Sequence, residues 1–398
     1  MPLAAELVES GLELLLNTNL AALSIASPSA KEANAQALAR AVVFLNPQMQ
    51  LRDALRVLAV NRVLSVPVLS SPTEGAGSSS REDATAEHQF EGFCDVASIL
   101  HYLLEQLPSE LLEDLAEDVS ADAVVRTMDA LSCLAYDILA APVCVVQLRD
   151  GDLVSRNFAS STLLDVVQAA FIHPIHLRDV AICHRVVAAD VRPELDPHAS
   201  LRSVNPQSMS VVTHMDIIRL LHARVDELGP LADASVEALS LAGPDLFVFF
   251  VPSTLSALRT LVELDEHKLS AAGVVNDAGE LVANVSVSDL RDVQVDKVGI
   301  LALPVLEFLA VQAGCRRPRA PVTVLPSDSF RTVLERVVVN DVHHVYVVTG
   351  KTERREETVR RPTAIITPSD ILYLFNSRPS ESTTSAVETG HSRDVKHV

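Results

Sequence analysis

Four stretches of the chain place apolar residues three, four or seven positions apart. They are Leu51, Leu55 and Leu58; Leu163, Leu164, Val167 and Phe171; Leu255, Leu258 and Leu261; and Phe330, Val333, Leu334 and Val337. That spacing gathers one apolar stripe along one side of a helix. Each stripe is followed by a basic or polar pair: Asn61-Arg62, His184-Arg185, His267-Lys268 or His343-His344. A valine-rich run then predicts a strand, over Val63–Leu69, Val186–Val191, Leu269–Val275 and Val345–Val348. After a turn or loop, a second short strand runs into a second helix. That helix starts at Asp95–Ser98, Thr213–Asp216, Ser286–Asp289 and Thr367–Asp370. Apolar residues continue from there at helical spacing, as in Ile99, Leu100, Leu103, Leu104 and Leu107.

The order helix, strand, strand, helix recurs four times and excludes an all-α solenoid. The predicted class is α/β, made of α+β repeats. Each unit is too short to close its own core, so repeats should pair through their apolar helix faces. Residues 1–40 form a helical extension, 41–108 repeat 1, 109–141 a helical linker and 142–228 repeat 2. Repeat 3 covers 245–310, repeat 4 covers 320–376, and 377–398 reads as a disordered tail poor in apolar residues. The two strands of a repeat are joined in different ways. Asn276–Gly279 is a tight hairpin turn, whereas Ser70–His88, Arg192–Pro206 and Gly350–Arg361 are insertions of the kind hairpin tips tolerate.

Composition narrows the chemistry. Hydrophobic residues make up 48% of 398, enough for a large core and too many for a disordered chain. With 32 basic and 52 acidic residues the net charge is −20, which argues against a broad polyanion-binding surface and leaves room for a local basic pocket. The 13 glycines form neither a GxGxxG fingerprint nor a P-loop. Five cysteines without a CxxC pair suit a reducing compartment better than a disulfide framework or a cysteine zinc site.

Glu6, Glu9 and Glu13 interrupt the apolar N-terminus, unlike a signal peptide. The longest unbroken apolar run, near Leu246–Val251, is too short to cross a bilayer. A soluble, cytoplasmic protein is expected, with the nucleus also open. His173 and His176 have no acid or cysteine at ligand spacing, so no metal is expected there. No Ser-His-Asp or Cys-His set suggests an enzyme.

Two readings of the repeated polar residues stay open, and both can hold at once. Thr213 with Asp216, Ser286 with Asp289 and Thr367 with Asp370 each match a helix capping box, which needs no ligand. A carboxylate is also acceptor-only and can take both vicinal hydroxyl protons of a sugar. Repeat 1 keeps a cap in Asp95 but has Ser98 in place of the acid. The basic pairs are either solvated or anion-binding; Arg grips phosphate bidentately and Lys acts as a point charge.

The RVLSVPV run at 62–68 and the SVSD and TPSD helix starts at 286–289 and 367–370 resemble cystathionine-β-synthase (CBS) domains, which occur in tandem pairs called Bateman modules. The stretches 183–190, 211–221 and 266–290 make the four-repeat set similar to the gamma regulatory subunits of AMP-activated and sucrose-non-fermenting protein kinases. The resemblance covers residues 40–376. It implies that repeats 1 and 2 pack as one module and repeats 3 and 4 as another, the two meeting in a flat disk.

The resemblance also implies a non-catalytic regulator that binds AMP, ADP or ATP in clefts between paired repeats, with no further cofactor. Asp216, Asp289 and Asp370 would hold ribose, with Thr213, Ser286 and Thr367 as hydroxyl companions. Arg62, His184, Arg185, His267, Lys268, His343 and His344 would bind phosphate. Kinase catalytic and scaffold subunits would be the protein partners; nucleic acid and membrane would not. The long hairpin loops, with the first two of the three departures from the family pattern that follow, point to the alternative, a ligand-free CBS scaffold for protein assembly. Ser98 replaces a ribose carboxylate, His344 stands where an Arg is expected, and Ala272-Gly273 replaces a Leu-Pro and should loosen its strand.

Overall fold

The computed structural model describes residues 5–19, 43–71, 88–112, 121–146, 154–155, 162–171, 185–189, 203–204, 209–242, 248–349 and 361–376. Helix α1 (Ala5–Leu16) comes first. Repeat 1 is α2 (Leu51–Asn61), β1 (Ser65–Ser70), β2 (His88–Asp95) and α3 (Val96–Gln106), followed by the linker helix α4 (Ala121–Ile138). Repeat 2 is β3 (Val154–Ser155), α5 (Leu163–Val166) with a π-helical turn over Val167–Phe171, β4 (Arg185–Ala189), β5 (Ser203–Val204), β6 (Met209–Thr213) and α6 (His214–Ala223). The short helix α7 (Pro230–Asp233) leads into the second half.

Repeat 3 is β7 (Phe250–Pro252), α8 (Ala257–Glu266), β8 (Ala271–Val275) and β9 (Leu281–Ser286). Two 3-10 segments, Val287–Asp292 and Val295–Ala302, and helix α9 (Val305–Gln312) follow it. Repeat 4 is β10 (Thr323–Val324), α10 (Phe330–Val339), β11 (Val345–Thr349), β12 (Arg361–Ile366) and α11 (Pro368–Tyr373).

The four-fold grammar is realised, with one strand more per sheet than the sequence pattern shows. In repeats 2, 3 and 4 a leading strand of two or three residues lies parallel to the central strand, which pairs antiparallel with the last. In repeat 1 a bridge from Leu45 to Val68 takes that place. There β5, from the long insertion of repeat 2, adds to the edge of β2 through His88 with Val204 and Gln89 with Ser203. The strand at Ala272-Gly273 is regular and buried rather than loosened, because Phe250 and Leu281 fill the space a side chain on Gly273 would take.

The first helices of repeats 1, 3 and 4 end on one device. Arg62, Lys268 and Asp341 adopt left-handed φ values of 54°, 53° and 49°. The next N–H then donates back to the carbonyl of Leu58, Leu264 or Val337 at 3.0, 2.8 and 3.1 Å. Terminal carbonyls that a helix leaves open are thereby satisfied, and the chain is aimed into its strand.

The starts of the first helices show how the repeats are paired. The leading N–H of each finds a carbonyl beyond the helix, strand, strand and helical segment of its own repeat: Leu51 on Ala141, Leu163 on Thr18, Ala257 on Leu303 and Phe330 on Ala234, all at 2.8–2.9 Å. The segment before a pair of repeats closes the second repeat, and the segment between them closes the first. The chain is therefore two halves built alike, repeats 1 and 2 and repeats 3 and 4, as expected.

The apolar helix faces are buried differently from the expectation. One core joins Leu51, Leu58, Ile99 and Leu103 of repeat 1 to Leu258, Leu261, Val285 and Leu290 of repeat 3. A second joins Leu163, Val167, Ile217 and Leu221 of repeat 2 to Phe330, Leu334, Ile371 and Phe375 of repeat 4, with Leu12 and Leu15 of α1 added. Helix faces thus meet between the halves. Within the second half, sheets meet instead, through Leu281, Phe250, Tyr346, Val348 and Ile365. Polar contacts rim both seams: His101 Nδ1 lies 2.8 Å from Asp265 Oδ2, and Arg219 pairs with Asp341 at 3.0 Å.

The second helix expected in repeat 3 is a 3-10 segment. In an α-helix the Asp289 carbonyl would accept from the N–H of Val293; here the Gln312 side-chain amide donates to it at 2.6 Å, and Val293 turns to Leu290. Helical structure appears within 1–40 as α1 and within 109–141 as α4. The expected tail at 377–398, most of the three insertions and His173 and His176 lie outside the described residues. Among the described residues no helix is long and apolar enough to cross a membrane.

Candidate functional site

The second strand ends on the N-cap of the following helical segment in repeats 1, 2 and 3 and one residue before it in repeat 4, so the polar residues there are placed by both elements. Thr213 is the N-cap of α6; its hydroxyl receives the Asp216 N–H, while its own N–H and hydroxyl donate to Asp216 Oδ2 at 2.8 and 2.7 Å. Thr367 and Asp370 repeat this at 2.7 and 2.6 Å. Ser286 donates its N–H to Asp289 Oδ2 at 2.7 Å, and its hydroxyl meets that of Ser288. The capping reading is therefore realised. It is not confined to these places, since Thr162 and Asp165 form the same box on the first helix of repeat 2. Such a cap contributes about 1 kcal/mol without any ligand.

The caps leave chemistry over. In all three they engage Oδ2, and among the described residues no hydrogen bond reaches Oδ1 of Asp216, Asp289 or Asp370. The three carboxylates differ in setting. Asp216 keeps 35% of its side-chain surface and lies 3.6 Å from Arg219. Burial pushes Asp289 up to about 6, with the Ser286 N–H bond opposing. Asp289 retains some accessible surface, but its carboxylate is enclosed. Burial also raises Asp370, against the two bonds from Thr367. In repeat 1 the box is inverted: Asp95 is the N-cap, and its Oδ1 accepts the N–H and hydroxyl of Ser98 at 2.7 and 2.9 Å.

The basic pairs do not fall at one place in the repeat. Arg185 lies directly opposite Thr213 in the β4–β6 ladder. His344 immediately precedes Val345, whose partner Ile366 immediately precedes Thr367. Arg185 and His344 therefore share a position at the strand entrance, beside the N-cap, with His343 one residue before His344. In repeat 1 that entrance is Leu64-Ser65, with Ser65 opposite Asp95; in repeat 3 it is Ser270-Ala271, with Ala271 opposite Ser286.

Arg62, His267 and Lys268 stand about one helical turn earlier, at the left-handed helix end. His267 Nδ1 lies 2.8 Å from the Glu263 carbonyl, its ring is 5.0 Å from Phe249, and Lys268 Nζ is 3.8 Å from Asp265. Basic groups there complement a helix C-terminus. The sequence pattern set these residues in line with Arg185 and His344; the backbone separates them. His344 Nε2 lies 3.2 Å from Ser270 Oγ, across the boundary between repeats 3 and 4. His184 lies outside the described residues.

Sequence reasoning missed one polar contact at the same boundary. The buried Tyr346 of β11 donates its hydroxyl to Asn284 Oδ1 of β9 at 2.5 Å. The signals were a tyrosine in a valine-rich strand and an asparagine two residues before the Ser286 cap. Among the described residues no group of three or more His, Cys, Asp or Glu is placed to hold a metal ion.

No protein-family model matches the chain, and no curated protein matches its sequence. Solved structures do match its fold. A protein of Methanocaldococcus jannaschii, proposed as an archaeal homologue of γ-AMPK, is 17% identical, with a TM-score of 0.51 over 84% of this chain and 96% of that one. A CBS-domain pair in complex with 5′-methylthioadenosine and S-adenosyl-L-methionine is 18% identical, with a TM-score of 0.27 over 36% of this chain and 95% of that one. A CBS-domain protein of Agrobacterium tumefaciens is 21% identical, with a TM-score of 0.28 over 36% and 93%. The fold of the chain is that of CBS repeats.

Proposed function

We propose that this four-repeat CBS chain is a non-catalytic regulator that binds an adenine nucleotide, and that its working clefts are those of repeats 2 and 4. One observation carries the reading. Among the described residues, only these two repeats set a basic residue, Arg185 or His344, at the strand entrance beside an N-cap whose partner acid has an oxygen outside the cap. Thr213, Asp216, His184 and Arg185 make up one set, and Thr367, Asp370, His343 and His344 the other. Repeat 1 has neither acid nor cation at these positions, and repeat 3 has Asp289 without the cation.

The roles follow from the chemistry. Asp216 and Asp370 accept the ribose hydroxyls, and the cations meet phosphate next to a helix N-terminus. AMP, ADP and ATP differ in charge at that end, so Arg185 and the His343-His344 pair set the preference among them. A regulatory output requires the ligand to bind two states of the chain unequally. The seams between the halves, with Arg219–Asp341 close behind Asp216, are the surfaces such a change would move. The sequence resemblance extends this to a gamma-like subunit of a protein kinase complex, working in the cytoplasm.

Thermal melts of the full chain with millimolar AMP, ADP, ATP or S-adenosylmethionine test the reading. Ligand at 100 times its dissociation constant adds about 2.7 kcal/mol to the native state, a rise of several degrees. No rise with any of them favours the ligand-free scaffold, for which the completed caps and Ser98 already speak.

A further inference from the structure

The sheets of repeats 3 and 4 face one another, and their facing residues are unlike. Counting two positions back from each N-cap gives Asn284 before Ser286 and Ile365 before Thr367. Their cross-strand partners are Gly273 and Tyr346. The same count gives Phe93 with Pro67 in repeat 1 and Val211 with Val187 in repeat 2. Repeat 3 thus presents a bare glycine and an amide where repeat 4 presents a phenol ring.

The ring of Tyr346 crosses the boundary. It is 1% exposed, packs with Leu281 and Phe250 of repeat 3, and its hydroxyl reaches Asn284. Asn284 lies on the strand that ends at the Ser286 cap, and Asp289 heads the segment beyond. Burial, and after it the charge of Asp289, makes the Tyr346 hydroxyl harder to ionise. An aromatic ring from repeat 4, with a hydroxyl at its tip, therefore lies against the strand that leads to the Ser286 cap and Asp289.

We infer that Tyr346 is an internal occupant of the cleft headed by Asp289, filling the volume and the polar contact a nucleoside would use, and that it confines ligand in the second half to the cleft headed by Asp370. This rests on the nucleotide-binding reading above. The strand entrance of repeat 3 is Ser270-Ala271, with no cation for a phosphate, so the cleft once opened would hold AMP through its nucleoside part and Asp289. The arrangement is asymmetric by construction, since Gly273, the counterpart of Tyr346, sends nothing toward repeat 4.

Calorimetry of the full chain with AMP tests this, using a background of Asp216→Ala with Asp370→Ala. That background is expected to bind no AMP. Adding Tyr346→Ala is expected to create a site at least tenfold tighter than the background, lost again with Asp289→Ala. Tyr346→Phe, which keeps the ring, is expected to create none. Tyr346→Val repeats the test with a strand-forming residue if the alanine variant does not melt cooperatively.

AMP binding by the background, abolished by Asp289→Ala, would show the cleft open and overturn the inference. A folded Tyr346→Ala or Tyr346→Val chain that gains no site would overturn it too. If wild type binds no AMP but Tyr346→Ala alone does, the inference stands and the assignment to Asp370 falls. If neither binds, both fall.

Discussion

A β-carbon on Gly299 would lie 2.4 Å from the carbonyl oxygen of Met128. Gly299 belongs to the 3-10 segment Val295–Ala302, beyond the last strand of repeat 3, and Met128 to the helix after repeat 1, so the two halves touch backbone to backbone at this point. The Ser132 hydroxyl donates to the same carbonyl at 2.8 Å, leaving no slack. Gly299→Ala is expected to cost about 1–3 kcal/mol, the usual range for overpacking. Urea denaturation measures it. An unchanged midpoint would mean that the linkers are not seated this closely.

The inverted cap of repeat 1 gives a second test. Ser98 is buried, and Asp95 already receives both of its donors. Ser98→Asp would restore the acid of the other repeats, but it places two carboxylates together in a buried position. At pH 7.5 the variant is expected to be less stable than wild type by about 1–3 kcal/mol, with the deficit shrinking as pH falls toward the carboxylate range. Ser98→Ala, which keeps the N–H, is expected to cost less, about 1 kcal/mol. Melting curves across pH 5–7.5 compare them. Equal stability of Ser98→Asp and wild type at pH 7.5 would show that repeat 1 can accept a carboxylate.

These two sites mark what the sequence discloses and what it hides. The stripes Leu51–Leu58 and Phe330–Val337 were legible because a helix face repeats with a fixed period. The Thr-x-x-Asp starts were legible because a cap needs its hydroxyl and acid at fixed spacing. The leading strands Phe250–Pro252 and Thr323–Val324 were not, since two or three residues carry no period. Nor was the exchange of linkers, because the N–H of Leu163 reaching Thr18 depends on how the halves assemble. His267-Lys268 and His343-His344 look alike in composition. They separate only when the left-handed turn is found at Lys268 in one repeat and at Asp341 in the other, neither of which is a glycine.

The burial of Asp289 sets a pH dependence. Its carboxyl is pushed up to about 6 in the folded chain, above the ordinary carboxylate value it has when unfolded. Between about pH 4 and 6 the folded state therefore holds more protons than the unfolded state, and stability falls as pH rises through that window. Asp370, raised by the same cause, acts with the same sign. Asp289→Asn keeps an oxygen for the Ser286 N–H and removes the charge. It is expected to equal wild type near pH 4 and to exceed it near pH 7 by on the order of 2 kcal/mol. Denaturant midpoints at both pH values measure the difference. An advantage that does not change with pH would show that Asp289 is not the group titrating.

The claim that repeats 2 and 4 bind a nucleotide is tested most directly by isothermal titration of the full chain with AMP, ADP and ATP. Wild type, Asp216→Ala and Asp370→Ala are compared. A hydrogen bond to a charged group contributes about 1.5–3 kcal/mol, so each substitution is expected to weaken its own site roughly ten- to hundredfold. Each should also lower the ligand-free melting temperature slightly through the lost cap. Lowered melting temperatures with unchanged affinities, or no binding heat in wild type, would contradict the account and leave these carboxylates as helix caps alone.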